Sequence, residues 1–213
     1  MLALSVSKGA VRTAGRLPGP RAFGGAAGPE GVLYYLGGWD GERELDEIVR
    51  LDLASGASRV IGRLPSAREF GAAVWLDGRL YLLGGSDERG RYLDEVLELD
   101  PQSGAVLRVG RLSAPRTRLC AAAGPGLVYV FGGWEGRRSD ELLVVDPRGS
   151  GIQTRLAARL PRPMSDGAAV FLAGSLYLLG GSHERFERQL GVLRIEACGL
   201  RMESLRFRGF LFW

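Results

Sequence analysis

The stretch LYLLGGSDERGRYLDEVLELDPQSG, residues 80–104, contains a short apolar run closed by a glycine doublet, then a polar loop, a second alternating run and a turn. The run and its doublet occur four times, as YYLGG at 34–38, YLLGG at 81–85, YVFGG at 129–133 and YLLGG at 177–181. Successive doublets lie 47, 48 and 48 residues apart. A second landmark stands 21 residues before each doublet at the same spacing: Arg16-Leu17-Pro18, Arg63-Leu64-Pro65, Arg111-Leu112-Ser113 and Arg159-Leu160-Pro161. What repeats is therefore a whole structural unit.

Each unit reads as four short strands. The first is rich in small residues, as in Gly71 to Leu76 and Gly167 to Leu172. A tight turn follows, Asp77-Gly78 or Ala173-Gly174, and Asp-Gly between two apolar runs is a strong hairpin signal. The second strand ends at the doublet. Beyond a polar loop the third strand covers Glu47 to Asp52, Glu95 to Asp100, Glu141 to Asp146 and Gly191 to Glu196, and the fourth, such as Ala105 to Gly110, returns to the Arg-Leu landmark. Four strands per unit without helical periodicity make an all-β chain, and a period in the high forties excludes most helical arrays and points to propeller blades.

These residues resemble Kelch repeats, in which a four-stranded blade carries a glycine doublet after its second strand. Segments 80–104 and 128–147 (VYVFGGWEGRRSDELLVVDP) are similar to the family pattern through strands two and three. The pattern departs at two positions. Where the family usually has a tyrosine late in strand three and a tryptophan on strand four, this chain has Leu51, Leu99 and Val145, then Ser58, Val106 and Thr154. Aliphatic packing between blades is expected instead. The resemblance implies an all-β, Kelch-like β-propeller of four-stranded antiparallel blades in one domain, 1–213. Its four complete repeats run approximately over 16–62, 63–110, 111–158 and 159–208, and residues 2–15 align with the third and fourth strands of a preceding, partial blade. Such a chain is an arc of a larger ring, a truncated form, or a subunit completed by pairing, with self-association through open blade edges expected.

Composition narrows the function classes. Twenty-eight basic against 24 acidic residues give +4, interspersed along the chain, and no basic stripe or apolar run of membrane length marks a nucleic-acid or membrane partner. No secretory leader is visible, so a cytoplasmic location is expected. Lys8 is the only lysine, which removes a P-loop reading of the doublets, and no third glycine opens a helix as a dinucleotide fingerprint needs. Gly37, Gly38, Gly84, Gly85, Gly132, Gly133, Gly180 and Gly181 are read as structural, permitting positive φ and close backbone approach. His183 is the only histidine, so no metal site and no cofactor are expected. Cys120 and Cys198 read as buried reduced thiols.

In Kelch-like propellers the loop before strand one and the loop after the doublet emerge together near the axis. Here the former carries Arg21, Arg68, Arg116 and Met164, with Phe23, Phe70, Arg118 and Asp166 two positions on. The latter carries Trp39-Asp40, Ser86-Asp87, Trp134-Glu135 and Ser182-His183. Arg21, Trp39, Arg68, Phe70, Asp87, Arg116, Arg118, Trp134 and His183 are the expected partner-binding residues, since arginine and tryptophan dominate binding hot spots. Two alternatives stay open: the arginines pair with Asp40, Asp87 or Glu135 in a structural network, and the tryptophans pack under their own loops. The resemblance implies a non-enzymatic protein-interaction module, a scaffold or substrate adaptor, taking a protein partner with an acidic segment on the loop face. The alternative function is a Kelch-fold sugar isomerase resembling the bacterial sialic acid mutarotases, with an arginine on a carboxylate and an acid or His183 moving a proton.

Overall fold

The computed structural model describes residues 2–5, 9–148, 151–182, 192–196 and 201–205, and among them every regular element is a strand. Strands β1 (Leu2–Ser5) and β2 (Ala10–Thr13) form a two-stranded sheet. The first unit is the sheet β3 (Gly25–Ala27), β4 (Val32–Leu36), β5 (Glu47–Asp52) and β6 (Ser58–Arg63), in that order. The second opens with the short β7 (Arg68–Glu69) and continues through β8 (Ala72–Leu76) and β9 (Arg79–Leu83). The short β10 (Ser86–Asp87), which pairs with β7, precedes β11 (Glu95–Leu99) and β12 (Val106–Arg111). In the third unit β13 (Cys120–Gly124), β14 (Leu127–Phe131) and β15 (Ser139–Asp146) pair onward to β16 (Gln153–Leu172). The fourth takes the far half of β16, then β17 (Ser175–Ser182), β18 (Val192–Glu196) and β19 (Arg201–Leu205).

All these pairs are antiparallel meanders, a succession consistent with a β-propeller. One expectation changes. Instead of two strands separated at Arg159-Leu160-Pro161, β16 is continuous and passes from the third sheet into the fourth, which fuses both into seven strands. Its near half pairs with β15 through two register irregularities, and these bends let one strand serve both sheets. The hairpin turns are as the sequence requires. Asp77 and Gly78 have φ of 48° and 81°, Ala173 and Gly174 48° and 77°, positive at both central positions as in type I′ turns. Among the described residues no helix is long and apolar enough to cross a membrane.

Apolar side chains lie between units, in three layers. Tyr34, Leu36 and Ile48 of the first unit meet Leu80, Leu82, Leu97 and Leu99 of the second, with the Tyr34 and Trp75 rings stacked 5.9 Å apart. Val74, Leu76, Tyr81 and Leu83 meet Val128, Val130, Leu143 and Val145 in the same way. Phe131, Leu142 and Val144 then meet Leu160, Met164, Leu176 and Leu178, where Cys120 is buried; burial pushes its thiol pKa up to about 12, so it is an inert core residue. Cys198 lies outside the described residues.

The doublets lace these layers together. The second glycine of each of the first three donates its N–H across to the next unit: Gly38 to Arg68 O at 2.8 Å, Gly85 to Arg116 O at 2.9 Å and Gly133 to Met164 O at 2.9 Å. The first glycine sits against the same carbonyl, so a Cβ on Gly84 would lie 2.5 Å from Arg116 O. In the Arg-Leu landmark, Leu64, Leu112 and Leu160 are buried plugs. Arg63, Arg111 and Arg159 close on Asp46, Asp94 and Asp140 at 2.6, 2.8 and 2.5 Å, beside the start of the third strand.

At the departures from the Kelch pattern the packing is not wholly aliphatic. Ser58 Oγ donates to Arg16 O at 2.7 Å, and Thr154 Oγ1 donates to Arg111 O at 2.7 Å, each reaching back to the arginine landmark that opens its own repeat. Val106, at the equivalent position, packs in the core between the first and second units. A hydroxyl thus replaces ring area with a directional bond at two of the three seams. Thr154→Val keeps the shape and removes the bond, so it is expected to cost about 1 kcal/mol by urea denaturation. An unchanged midpoint would mean that the seam does not depend on this bond.

Candidate functional site

Parity along the short strand β7 sorts the loop-face residues. Successive side chains of a strand point to opposite sides, and here Arg68 turns inward while Glu69 turns outward. Arg21, Arg68 and Arg116, expected to face a partner, are instead buried in ion pairs with Glu47, Glu95 and Glu141, the first residues of the third strands β5 and β11 and the matching position of β15. The Arg68 side chain is 1% exposed and that of Arg116 0%. Arg116 has the fullest set of partners. Its Nη2 donates to Glu141 at 2.6 Å and Ser113 at 2.9 Å, and its Nη1 to Gly132 O at 3.2 Å. Glu135 Oε1 lies 2.8 Å from Nη2, off the hydrogen-bond axis. Burial pushes the Glu141 carboxyl up, but the bonds from Arg116 and Ser113 outweigh it and hold the pKa below the usual range.

Asp87 is likewise turned inward, which corrects its expected role. Its Oδ1 accepts from Arg89 N at 3.0 Å and Arg91 N at 2.9 Å, and its Oδ2 pairs with the Arg91 guanidinium at 2.6 Å, so it shapes its own loop. Burial opposes its ionisation, yet these bonds hold its pKa below the usual range. Trp39 is exposed, bridging by its backbone to Ala22 and Glu44. His183 lies outside the described residues.

Phe23, Phe70, Arg118 and Asp166 share a different geometry. All four have positive φ, 59°, 55°, 54° and 60°, a region that non-glycine residues adopt at a cost of roughly 1–2 kcal/mol. Their backbones hold one another there. Phe70 N donates to Phe23 O at 2.7 Å, Arg118 N to Phe70 O at 2.9 Å and Asp166 N to Arg118 O at 2.9 Å, one rung per unit. The side chains stack along this ladder. The Phe23 and Phe70 rings are 4.5 Å apart, the Arg118 guanidinium lies 4.2 Å over Phe70, and Arg118 Nη1 pairs with Asp166 Oδ1 at 3.2 Å.

Beside the ladder lies a cavity of about 420 Å³ between the second and third units, within the usual size range of small-molecule sites. Phe70, Tyr92, Arg118, Trp134, Arg138 and Asp166 line it together with Glu69, Ser86, Thr117 and Ser165, the last and Asp166 reaching it from the fourth unit. Trp134 Nε1 donates to Tyr92 OH at 3.0 Å, which fixes both rings across the seam. Arg138 lies 5.5 Å over the Trp134 ring and donates from Nη2 to Ser182 Oγ at 2.8 Å. Its Nε is buried without a hydrogen-bond partner. Among the described residues Glu69 has no ion-pair partner; burial and then the neighbouring Glu44 raise its pKa, and Arg118 only partly opposes them.

Of the expected residues, the structure gathers Phe70, Arg118 and Trp134 at this cavity and buries Arg21, Arg68, Arg116 and Asp87 in ion pairs away from its lining. Glu69, Thr117 and Ser165 were not singled out from the sequence, although they stand in register between positions that were. The signal was strand parity: if the residue at the arginine position is buried, its successor faces the cavity.

No family model matches the chain, and no curated protein matches it. Among solved structures the chain is similar to that of YjhT, with a TM-score of 0.80 at 13% sequence identity, over 92% of this chain and 73% of that one. At that identity the likeness concerns the fold alone.

Proposed function

We propose that the chain is an arc of a Kelch-type β-propeller whose loop-face cavity binds an acidic sugar and catalyses its mutarotation. The observation that carries this reading is Glu69, a half-buried carboxyl with a raised pKa and no ion-pair partner among the described residues, in a cavity with the cations of Arg118 and Arg138. The unpartnered Nε of Arg138 and the exposed Arg118 fork suit a sugar carboxylate, while Phe70, Tyr92 and Trp134 offer apolar faces to a pyranose ring. The ladder supports a catalytic site too, since left-handed non-glycine residues cluster where a constellation must be held rigid.

The chemistry needs one proton moved each way. In its acid form Glu69 gives its hydroxyl proton to the ring oxygen while its carbonyl oxygen takes the anomeric hydroxyl proton. The bond between the anomeric carbon and the ring oxygen breaks, leaving an open-chain carbonyl, and Glu69 ends in the charge state in which it began. Rotation about the adjacent carbon–carbon bond and the reverse transfer close the other anomer. A raised pKa keeps this acid form populated at higher pH than an ordinary glutamate would.

The test is the rate of anomer exchange of a sialic acid, followed by NMR with the purified chain. Exchange is expected to accelerate, and the catalysed rate to fall as pH rises through the elevated pKa of Glu69. Glu69→Gln keeps the size of a side chain that has no ion-pair partner among the described residues, and is expected to lose at least about a hundredfold of the catalysed rate with an unchanged melting temperature. A rate that is insensitive to this change would remove Glu69 from the mechanism.

The protein-interaction reading has one observation in its favour. Phe23 and Trp39 are exposed on the loop face outside the cavity wall, as aromatic anchors for a protein segment would be. Binding of an acidic peptide that is lost in Trp39→Ala, with no acceleration of anomer exchange by the wild-type chain, would select this reading.

A further inference from the structure

The repeat contains its own control for what should cover each sheet. In the second unit Val74, Leu76 and Leu83 are 4%, 6% and 0% exposed, because the third unit packs on them. Their counterparts in the fourth unit, paired in the same register, are Val170, Leu172 and Leu179, and these are 43%, 62% and 37% exposed. Among the described residues, nothing covers this face of the fourth unit as the third unit covers the second.

The complementary face is open at the other end of the arc. On β9, β14 and β17 the side chains that receive the preceding unit are buried: Leu80 and Leu82, Val128 and Val130, Leu176 and Leu178. On β4 the same two positions are Leu33 and Tyr35, and both are only half-buried. Farther out on that face Val49 and Leu51 are fully buried, with Gly15 packed against Leu51. Only the inner part is open, so among the described residues the two ends carry the inner portions of the two halves of an interface that occurs three times within the chain.

We infer that this surface is an interface for a second copy of the same chain, docked head to tail, with the fourth-unit face around Val170 and Leu172 packed on the first-unit face around Leu33 and Tyr35. A second copy is the occupant because it brings the one matching face that the described residues hold, and because the contact repeats the inner part of a packing already made between units. Head-to-tail contacts pair unlike surfaces, so each copy contributes one half and can be disabled separately.

Sedimentation velocity of the purified chain over a wide concentration range tests this. Reversible self-association is expected, and it should be lost in Leu172→Lys and in Leu33→Lys, each with a wild-type melting curve. An equimolar mixture of the two variants should regain association, since one supplies the intact fourth-unit face and the other the intact first-unit face. Leu107→Lys, at an exposed site on β12, should associate as the wild type does. If Leu33→Lys fails to fold, Leu33→Gln replaces it in the same mixture. A wild-type chain that stays monomeric throughout would overturn the inference, as would undiminished association of the folded Leu33 variant, which would mean that two fourth-unit faces pair with each other.

Discussion

Arg116→Ala is expected to destabilise the protein by about 3 kcal/mol, the low end of what breaking a buried ion pair costs, because the carboxylates left behind keep some contact with water. The substitution removes the donors to Glu141, Ser113 and Gly132 O from a fully buried position and strands Glu141 next to Glu135. Equilibrium denaturation measures the loss, which is a large share of a typical domain's 5–15 kcal/mol. The sign of the pH dependence follows from Glu141, whose pKa is depressed in the folded chain. Its contribution is present above the ordinary glutamate pKa and is lost as pH falls through the depressed value. Arg116→Ala should flatten that part of the acid limb. A loss below 1 kcal/mol would show that the arginine is not part of the framework.

Gly84→Ala should cost about as much, roughly 3 kcal/mol, by two separable routes. A left-handed alanine costs about 1–2 kcal/mol wherever it occurs, and Gly84 has a φ of 59°. The remainder is the approach of the new Cβ to 2.5 Å from Arg116 O, a backbone atom that cannot swing away, at the point where Gly85 N–H crosses to the next unit. Gly90→Ala provides the comparison, since its φ is 71° and nothing lies within 4 Å of an added Cβ. The difference between the two variants measures the contact alone. Equal losses would mean that the seam yields at no cost.

What could be read from the sequence was what depends on backbone geometry. Asp77-Gly78 prescribes a turn, and a doublet in four copies prescribes a register, because both depend on φ values that few residue types adopt. Side-chain direction was harder. An arginine at position 68 has the same composition whether it faces a partner or fills the interior, and only the half-turned strand β7, paired with β10, decides which. Glu95 and Glu141 were visible as the starts of third strands, but their pairing with Arg68 and Arg116 spans 27 and 25 residues and has no local signature. Glu69 was hidden for the same reason, as one acidic residue among 24. The continuity of β16 was hidden because the Arg159-Leu160-Pro161 landmark reads as the boundary between two units, whereas the strand shifts register there and goes on.

The ladder through Phe23, Phe70, Arg118 and Asp166 is made wholly of main-chain bonds, so no rung depends on which side chain it carries. Two benzyl groups, a guanidinium and a carboxylate occupy four positions of one conformation. For side chains that tolerate a left-handed backbone, change at these positions leaves the main-chain ladder in place: a new side chain inherits a rigid mount without any strand being rebuilt. A scaffold of this kind can exchange one ligand chemistry for another by single substitutions at these four points, whereas substitution at the seams, where Arg116 and Gly84 sit, carries the larger costs given above.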